Sequence, residues 1–168
     1  ENIPLAPNRH YGISKVCSEY MIKHAFSQLP VVILRLPGIY GRGDKNNSII
    51  SMFINKIKRG VVIELFNKGN SLRDYVHVID LCKIVHHFLL NPVPGIYNVA
   101  TGNSMMTSEI VQLIADVLKL NAKVDIKNSN DDRGDISVSN SKICKAIPNF
   151  NFTSMEAGIN DYIMNNYK

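Results

Sequence analysis

Six consecutive residues, Val31-Val32-Ile33-Leu34-Arg35-Leu36, limit what this chain can fold into more than any others. The run is apolar but for Arg35 and does not alternate. That is the pattern of a strand covered on both faces, as strands of parallel sheets are. Ahead of it, Val16, Tyr20, Met21 and Phe26 keep a roughly helical period, which predicts a helix over about 9–28 ended by Pro30. A helix feeding a buried strand is half of a crossover unit, so a doubly wound α/β sheet is the expected home.

The rest of the chain reads as alternating short elements. Pro37 to Asp44 is turn-rich and is expected to be a loop at the strand's carboxyl end, where open α/β sheets bind ligands. A helix is expected over 48–59, closed by Gly60, then a strand over 61–66 and a turn over 67–70. An extended piece over 74–77 leads to a helix over 79–90, stopped by Pro92 and Pro94; residues 96–99 suit a further strand. Thr107 is expected to cap a helix with an Ile110, Val111, Ile114, Val117, Leu118 stripe. A strand over 123–126, a polar loop over 128–134 and a short helix over 141–146 follow. Thr153-Ser154-Met155-Glu156 matches a capping box for the last helix.

A length of 168 residues with 45% apolar content suits one ordinary globular domain, and no run of 18 apolar residues could span a bilayer. The polar start Glu1-Asn2-Ile3-Pro4 has no signal-peptide pattern. Three widely spaced cysteines, Cys17, Cys82 and Cys144, form no metal-ligand pattern and suit a reducing compartment, hence the cytoplasm. The net charge of +5 is scattered without interleaved aromatics, so a nucleic-acid partner is not expected.

The chemistry begins at Tyr11-Gly12-Ile13-Ser14-Lys15. On a helix, residues four apart lie on one face, so a phenol and an ammonium stand side by side. A close cation favours the phenolate and makes the phenol a better proton acceptor near neutrality. Such a group can exchange a proton with an alcohol while a cofactor carries hydride. Alone, the spacing is short enough to arise by chance. In context, Pro7 to Lys15 resembles the catalytic-helix opening of the extended short-chain dehydrogenases/reductases, the NAD-dependent nucleotide-sugar epimerase/dehydratase group. That resemblance makes Tyr11 the acid/base and gives Lys15 the tasks of activating Tyr11 and holding the nicotinamide ribose of NAD (or NADP). It also places the family's glycine-rich loop and catalytic Ser or Thr ahead of Glu1, so that these residues look like the C-terminal part of an enzyme.

The resemblance continues along the chain. Arg35-Leu36-Pro37-Gly38-Ile39-Tyr40-Gly41 is similar to the family's strand-end motif, in which Leu36 and Pro37 would pass the nicotinamide and Gly38 would meet the sugar nucleotide. Glu64 to Leu81 resembles the segment that closes over a nucleotide diphosphate, which assigns Phe66 to the base and Arg73 to the diphosphate or ribose. A guanidinium fork suits phosphate oxygens, and an aromatic face tolerates any base; the plain alternative for Arg73 is an ion pair with Asp74. His77 and Asp80 are expected to be structural, a strand-end histidine and a helix N-cap. Asp132 to Asp135, with Lys142-Ile143 beyond, resembles the late loop that would add Arg133 as a second cation.

These resemblances imply the C-terminal portion of a Rossmann-type sheet (residues 1–41 and 70–100) plus a small α/β substrate domain (42–69 and 101–168). They imply a homodimer through the Tyr11 helix and a transient keto-sugar mechanism, with no metal and no membrane partner. Two rivals remain: a binding module without turnover, and an extended-family reductase acting on a non-nucleotide sugar. An apolar face left open on the 9–28 helix and the 31–36 strand is expected to favour self-association.

Overall fold

The computed structural model describes residues 5–7, 9–44, 48–127 and 134–166. In chain order the elements are helix α1 (His10–Ala25), strands β1 (Val32–Arg35) and β2 (Gly38–Tyr40), helix α2 (Ile49–Lys58), strands β3 (Ile63–Phe66), β4 (Leu72–Arg73) and β5 (Tyr75–His77), and helix α3 (Val78–Leu90). Then come β6 (Gly95–Asn98), β7 (Met105–Met106), α4 (Thr107–Leu118), β8 (Val124–Lys127), α5 (Ser141–Ala146) and α6 (Met155–Asn166). Three strand pairs are parallel, β1 with β6, β2 with β5 and β3 with β8; β4 and β7 pair antiparallel. This is the mixed α/β architecture with parallel pairing that the sequence predicts.

Residues 38–40, expected to be loop, are a strand instead. Gly38 to Tyr40 pair in register with Tyr75 to His77, so backbone partners far along the chain override local turn propensity. The apolar run differs from expectation in a second respect: every residue of β1 is half-buried rather than wholly covered. α1 buries none of its residues, leaving Tyr20, Met21 and Phe26 exposed.

Two apolar cores organise the molecule. One gathers Ile50, Phe53 and Ile54 of α2, Ile63 and Leu65 of β3, Ile110 and Ile114 of α4, and Ile159 and Tyr162 of α6 around Tyr40. The other joins Val76, Ile84 and Phe88 to Tyr97 and Val99, and takes in Ile143 and Ile147 at α5. The α4 stripe lies where its period put it, with Ile110, Val111 and Ile114 buried and Val117 and Leu118 packed beside them.

Helix starts depart from the expected caps, each for a stated reason. Thr107 does not cap α4: its hydroxyl donates to the Ser71 carbonyl, while the Glu109 carboxylate accepts from the Met106 amide. Asp80 lies inside the first turn of α3 rather than at its cap; fully buried, it accepts from the amide and hydroxyl of Thr153 at 2.6 and 3.0 Å. With Thr153 so engaged, Ser154 takes over at α6 and accepts from the Ala157 amide at 3.2 Å. α6 can lie against Tyr40 because residue 158 is glycine: a Cβ there would sit 2.8 Å from Tyr40 Cζ and on top of its hydroxyl.

Candidate functional site

The helical spacing of Tyr11 and Lys15 has the geometric consequence expected of it. Lys15 Nζ lies 5.2 Å from the centre of the Tyr11 ring, and the ring is 75% exposed. Their place relative to the sheet is fixed by Glu19 and Arg35, whose carboxylate and guanidinium meet bidentately at 2.8 and 2.7 Å. That pairing holds the Glu19 carboxyl below its ordinary value, outweighing the upward push of burial. Glu19 is six residues from the end of α1 and Arg35 is the last residue of β1, so the pair ties the helix to the strand's carboxyl end. Lys15 and Tyr11 stand about one and two helical turns upstream of that contact with the carboxyl end of β1. Leu36, exposed, and Pro37, half-buried, leave the strand there.

A second group surrounds a cavity of about 280 Å³ lined by Ile49, Met52, Glu64, Phe66, Arg73, Tyr75 and Thr107 among others. Phe66 presents an exposed ring, and Arg73 a half-buried guanidinium. Arg73 does not pair with Asp74. Its Nη1 donates to the Leu72 and Gly134 carbonyls at 2.6 and 2.7 Å, so part of the fork anchors the chain beyond residue 133. The Leu72 amide donates to Asp135, and the Ile136 amide to the Leu72 carbonyl, along the same seam. Arg133 itself lies outside the described residues.

Alternation along β4 and β5 explains why the ion pair fails. Neighbours in an extended chain face opposite ways, so Asp74 points away from Arg73. It is 2% exposed and accepts from the Thr101 amide and hydroxyl and from the Gly102 amide, at 3.1, 2.8 and 3.0 Å. Asp74 thus latches the loop after β6, a role the sequence reading missed because its partners, Thr101 and Gly102, lie far along the chain. Lys142 likewise serves the scaffold, donating to the Ile96 carbonyl at 2.7 Å and lying over the Tyr97 ring. His77 is buried at the end of β5, 3.4 Å from Asp161 of α6, as suits a structural histidine.

Gly38 does not line that cavity. In the β2–β5 pair it stands opposite Tyr75, and a Cβ on residue 38 would lie 2.6 Å from Tyr75 Cε1 and still closer to Cδ1. Tyr75 therefore lies in the space a side chain at 38 would need. Burial pushes its phenol above the ordinary value, against the opposing pull of the Arg73 charge, so it carries a neutral hydroxyl. Of the sequence-predicted residues, Tyr11 and Lys15 are neighbours on α1, Leu36 and Pro37 follow β1, and Phe66 and Arg73 line the cavity. No group of His, Cys, Asp and Glu suited to a metal occurs among the described residues. No helix among them is long and apolar enough to cross a membrane.

Comparison with known proteins gives these positions a context. Residues 1–100 match the NAD dependent epimerase/dehydratase family. Over 129 residues the chain is 30% identical to dTDP-4-dehydro-6-deoxyglucose reductase of Escherichia coli, covering 73% of this chain and 40% of that one. Among solved structures it is similar to dTDP-glucose 4,6-dehydratase from Bacillus anthracis in complex with NAD, with a TM-score of 0.84 at 24% identity, covering 98% of this chain and 54% of the other. It is also similar to UDP-N-acetylglucosamine 4-epimerase from Methanobrevibacter ruminantium in complex with UDP-N-acetylmuramic acid, with a TM-score of 0.85 at 24% identity over 98% and 56% of the two chains. These structural likenesses establish the Rossmann-type fold, and the chain spans about two fifths of the E. coli relative and over half of the two structures. With more than half of its 168 residues inside the family match, the chain belongs to the NAD dependent epimerase/dehydratase family.

Proposed function

We propose that this chain supplies the acid/base pair and the substrate-gripping part of a nucleotide-sugar epimerase or dehydratase. The observation that carries the reading is the Lys15 ammonium held 5.2 Å from the Tyr11 ring, on the helix that Glu19 ties to Arg35 at the end of β1. An exposed phenol beside an exposed amine is what a nicotinamide ribose and a sugar hydroxyl both need within reach, and in that respect the residues fit the cofactor. Lys15, Leu36 and Pro37 would line its nicotinamide end; the family resemblance admits NADP as well as NAD. When bound, the dinucleotide supplies the acceptor and donor of hydride.

This chain's own residues handle protons and position. Tyr11 takes the proton from the hydroxyl on the carbon being oxidised and later returns it, so the sugar passes through a keto form. Lys15 stabilises the phenolate through its charge. Phe66 would lie against the base and Arg73, with Arg133, would hold the diphosphate, so that binding energy far from the reacting carbon fixes its place. The two apolar cores support a division into a dinucleotide-binding portion and a substrate domain, with α5 joined to the former by Ile143 and Ile147. The exposed Tyr20, Met21 and Phe26 support pairing of two copies through α1, and three free exposed cysteines suit the cytoplasm.

The E. coli relative is a reductase, which favours a second reading in which a keto-sugar nucleotide is reduced. Residues 1–168 alone are expected to show no turnover. In the whole protein, Tyr11→Phe is expected to lower kcat by about 10²–10⁴-fold while leaving the nucleotide-sugar Kd within a factor of two or so. A Tyr11→Phe enzyme with wild-type kcat would overturn the proposal. Product analysis of the wild type, distinguishing an epimer from a deoxy-keto sugar or a reduced sugar, separates the reaction classes.

A further inference from the structure

Tyr11, Lys15 and Glu19 are spaced four apart on α1, so a phenol, an amine and a carboxylate stand in one column along the helix. That column sets up a competition for the amine. Helical side chains lean toward the N-terminus, which carries Lys15 toward Tyr11 and, by the same tilt, Glu19 toward Lys15. An ammonium between an aromatic ring and an open carboxylate has two partners of comparable attraction. Here it has one. Lys15 Nζ lies 5.2 Å from the centre of the Tyr11 ring, and Lys15 makes no ion pair among the described residues. The reason lies across on β1, where Arg35 engages both Glu19 oxygens, at 2.8 and 2.7 Å, and turns the carboxylate to the strand. The guanidinium is aimed from a fixed backbone. Arg35 pairs in register with Asn98, and its carbonyl accepts from the Val99 amide at 2.8 Å. Lys23, one turn to the other side of Glu19, adds to the lowering of that carboxyl and lies 5.9 Å from the centre of the Tyr20 ring.

We propose that Arg35 is a positioning residue for the acid/base pair: by sequestering Glu19 it keeps that carboxylate from capturing Lys15, and so leaves the amine to Tyr11. The inference rests on the reading of Tyr11 and Lys15 given above and adds to it a residue that acts through Glu19. Arg35 therefore has a task beyond fastening α1 to β1, and substitution separates the two tasks. Fastening is lost when either partner is removed. Capture needs a carboxylate that has lost its guanidinium, which only the removal of Arg35 creates. A captured Lys15 contributes less of its charge to the phenolate, so Tyr11 keeps its proton to higher pH.

The test uses the whole protein, with kcat followed against pH. Arg35→Leu is expected to move the acid limb of the profile upward by about half a pH unit. A crystal structure of that variant is expected to place Lys15 Nζ within about 4 Å of the Glu19 carboxylate. Glu19→Gln, which breaks the same clamp without leaving a carboxylate, is expected to keep the limb where the wild type has it. Arg35→Leu combined with Glu19→Gln is expected to return the limb to the wild-type position, although the clamp is gone. Ser18→Glu, an exposed change that sets an unclamped carboxylate three residues from Lys15, is expected to move the limb upward with Arg35 in place. A limb that moves equally in Glu19→Gln, or that the double variant fails to restore, overturns the inference, because loosening of α1 then accounts for the shift. A limb unmoved in Ser18→Glu or in Arg35→Leu, or an Arg35→Leu structure with Lys15 still over the Tyr11 ring, overturns it as well. Each of these results leaves Tyr11 and Lys15 standing as the acid/base pair. A Tyr11→Phe enzyme with wild-type kcat removes that pair and this inference together.

Discussion

At the scale of single residues, the candidate site separates groups with local determinants from groups with distant ones. Tyr11 and Lys15 need only a helix to become neighbours, and their spacing in the sequence was sufficient to place them. Asp74 is the opposite case. Its partners, Thr101 and Gly102, are about 27 residues away, and no local pattern names them. Its carboxylate is nearly inaccessible and accepts three hydrogen bonds, so its removal leaves three donors without a partner. Hydrogen bonds to a charged acceptor contribute about 1.5–3 kcal/mol, and orphaned donors add their own cost. Asp74→Ala is therefore expected to destabilise the fold by about 3 kcal/mol or more, read as a drop in the urea midpoint with little change in slope. A midpoint within experimental error of wild type would show that the loop after β6 is held by something else. Thr107 and Thr153 show the same competition from the sequence side: each looks like a cap, and each has its hydroxyl drawn off by a distant acceptor, Ser71 or Asp80.

At the scale of elements, the sequence was legible wherever an apolar period ran long enough. α4, α2 and α3 fall within a residue or two of their expected spans, because their stripes face cores built from those same residues. Strand β2 was not legible, since Gly38-Ile39-Tyr40 becomes a strand only by pairing with β5. α1 was legible as a helix but not in how it is held, because it buries nothing and depends on Glu19 and Arg35 for its register on β1. That dependence has a pH sign. The pair holds Glu19 below its ordinary value of 4.5, so the carboxylate is charged in the fold at a pH where it would be protonated in the unfolded chain. Its contribution is complete above that ordinary value and is lost as pH falls through the lower, folded one. As pH falls well below 4.5, α1 is expected to loosen from β1, seen as faster amide exchange in residues 12–25 relative to α4. Glu19→Gln is expected to show the faster exchange already at neutral pH and little further change on acidification. Equal exchange in the two proteins at neutral pH would remove the clamp from the account.

At the scale of the whole molecule, what remains uncovered is as informative as the cores. Pro30, Val32, Leu34, Val85, Phe88, Leu89 and Pro92 surround an open apolar groove of about 340 Å³ on the β1–α3 side. Leu89, Leu90 and Val93 stand exposed at its margin, and Tyr20, Met21 and Leu29 are exposed along α1 and the turn after it. Contiguous apolar surface of this kind seldom persists in water unless it meets another surface. The same strand reads in the sequence as fully covered, so pattern and exposure disagree at β1 in the direction expected of a surface made to be packed against. A chain of residues 1–168 is accordingly expected to self-associate, with a sedimentation coefficient that rises with protein concentration. Leu89→Lys together with Met21→Lys is expected to suppress the rise without lowering the urea midpoint, because neither side chain belongs to a core. The choice of both positions separates the groove from the helix: loss of association in Leu89→Lys alone assigns the contact to the β1–α3 side, and loss in Met21→Lys alone assigns it to α1. A wild-type chain that sediments as one monomeric species at every concentration would mean that this surface is tolerated in water as it stands. The burial pattern of the 31–36 run would then need another explanation.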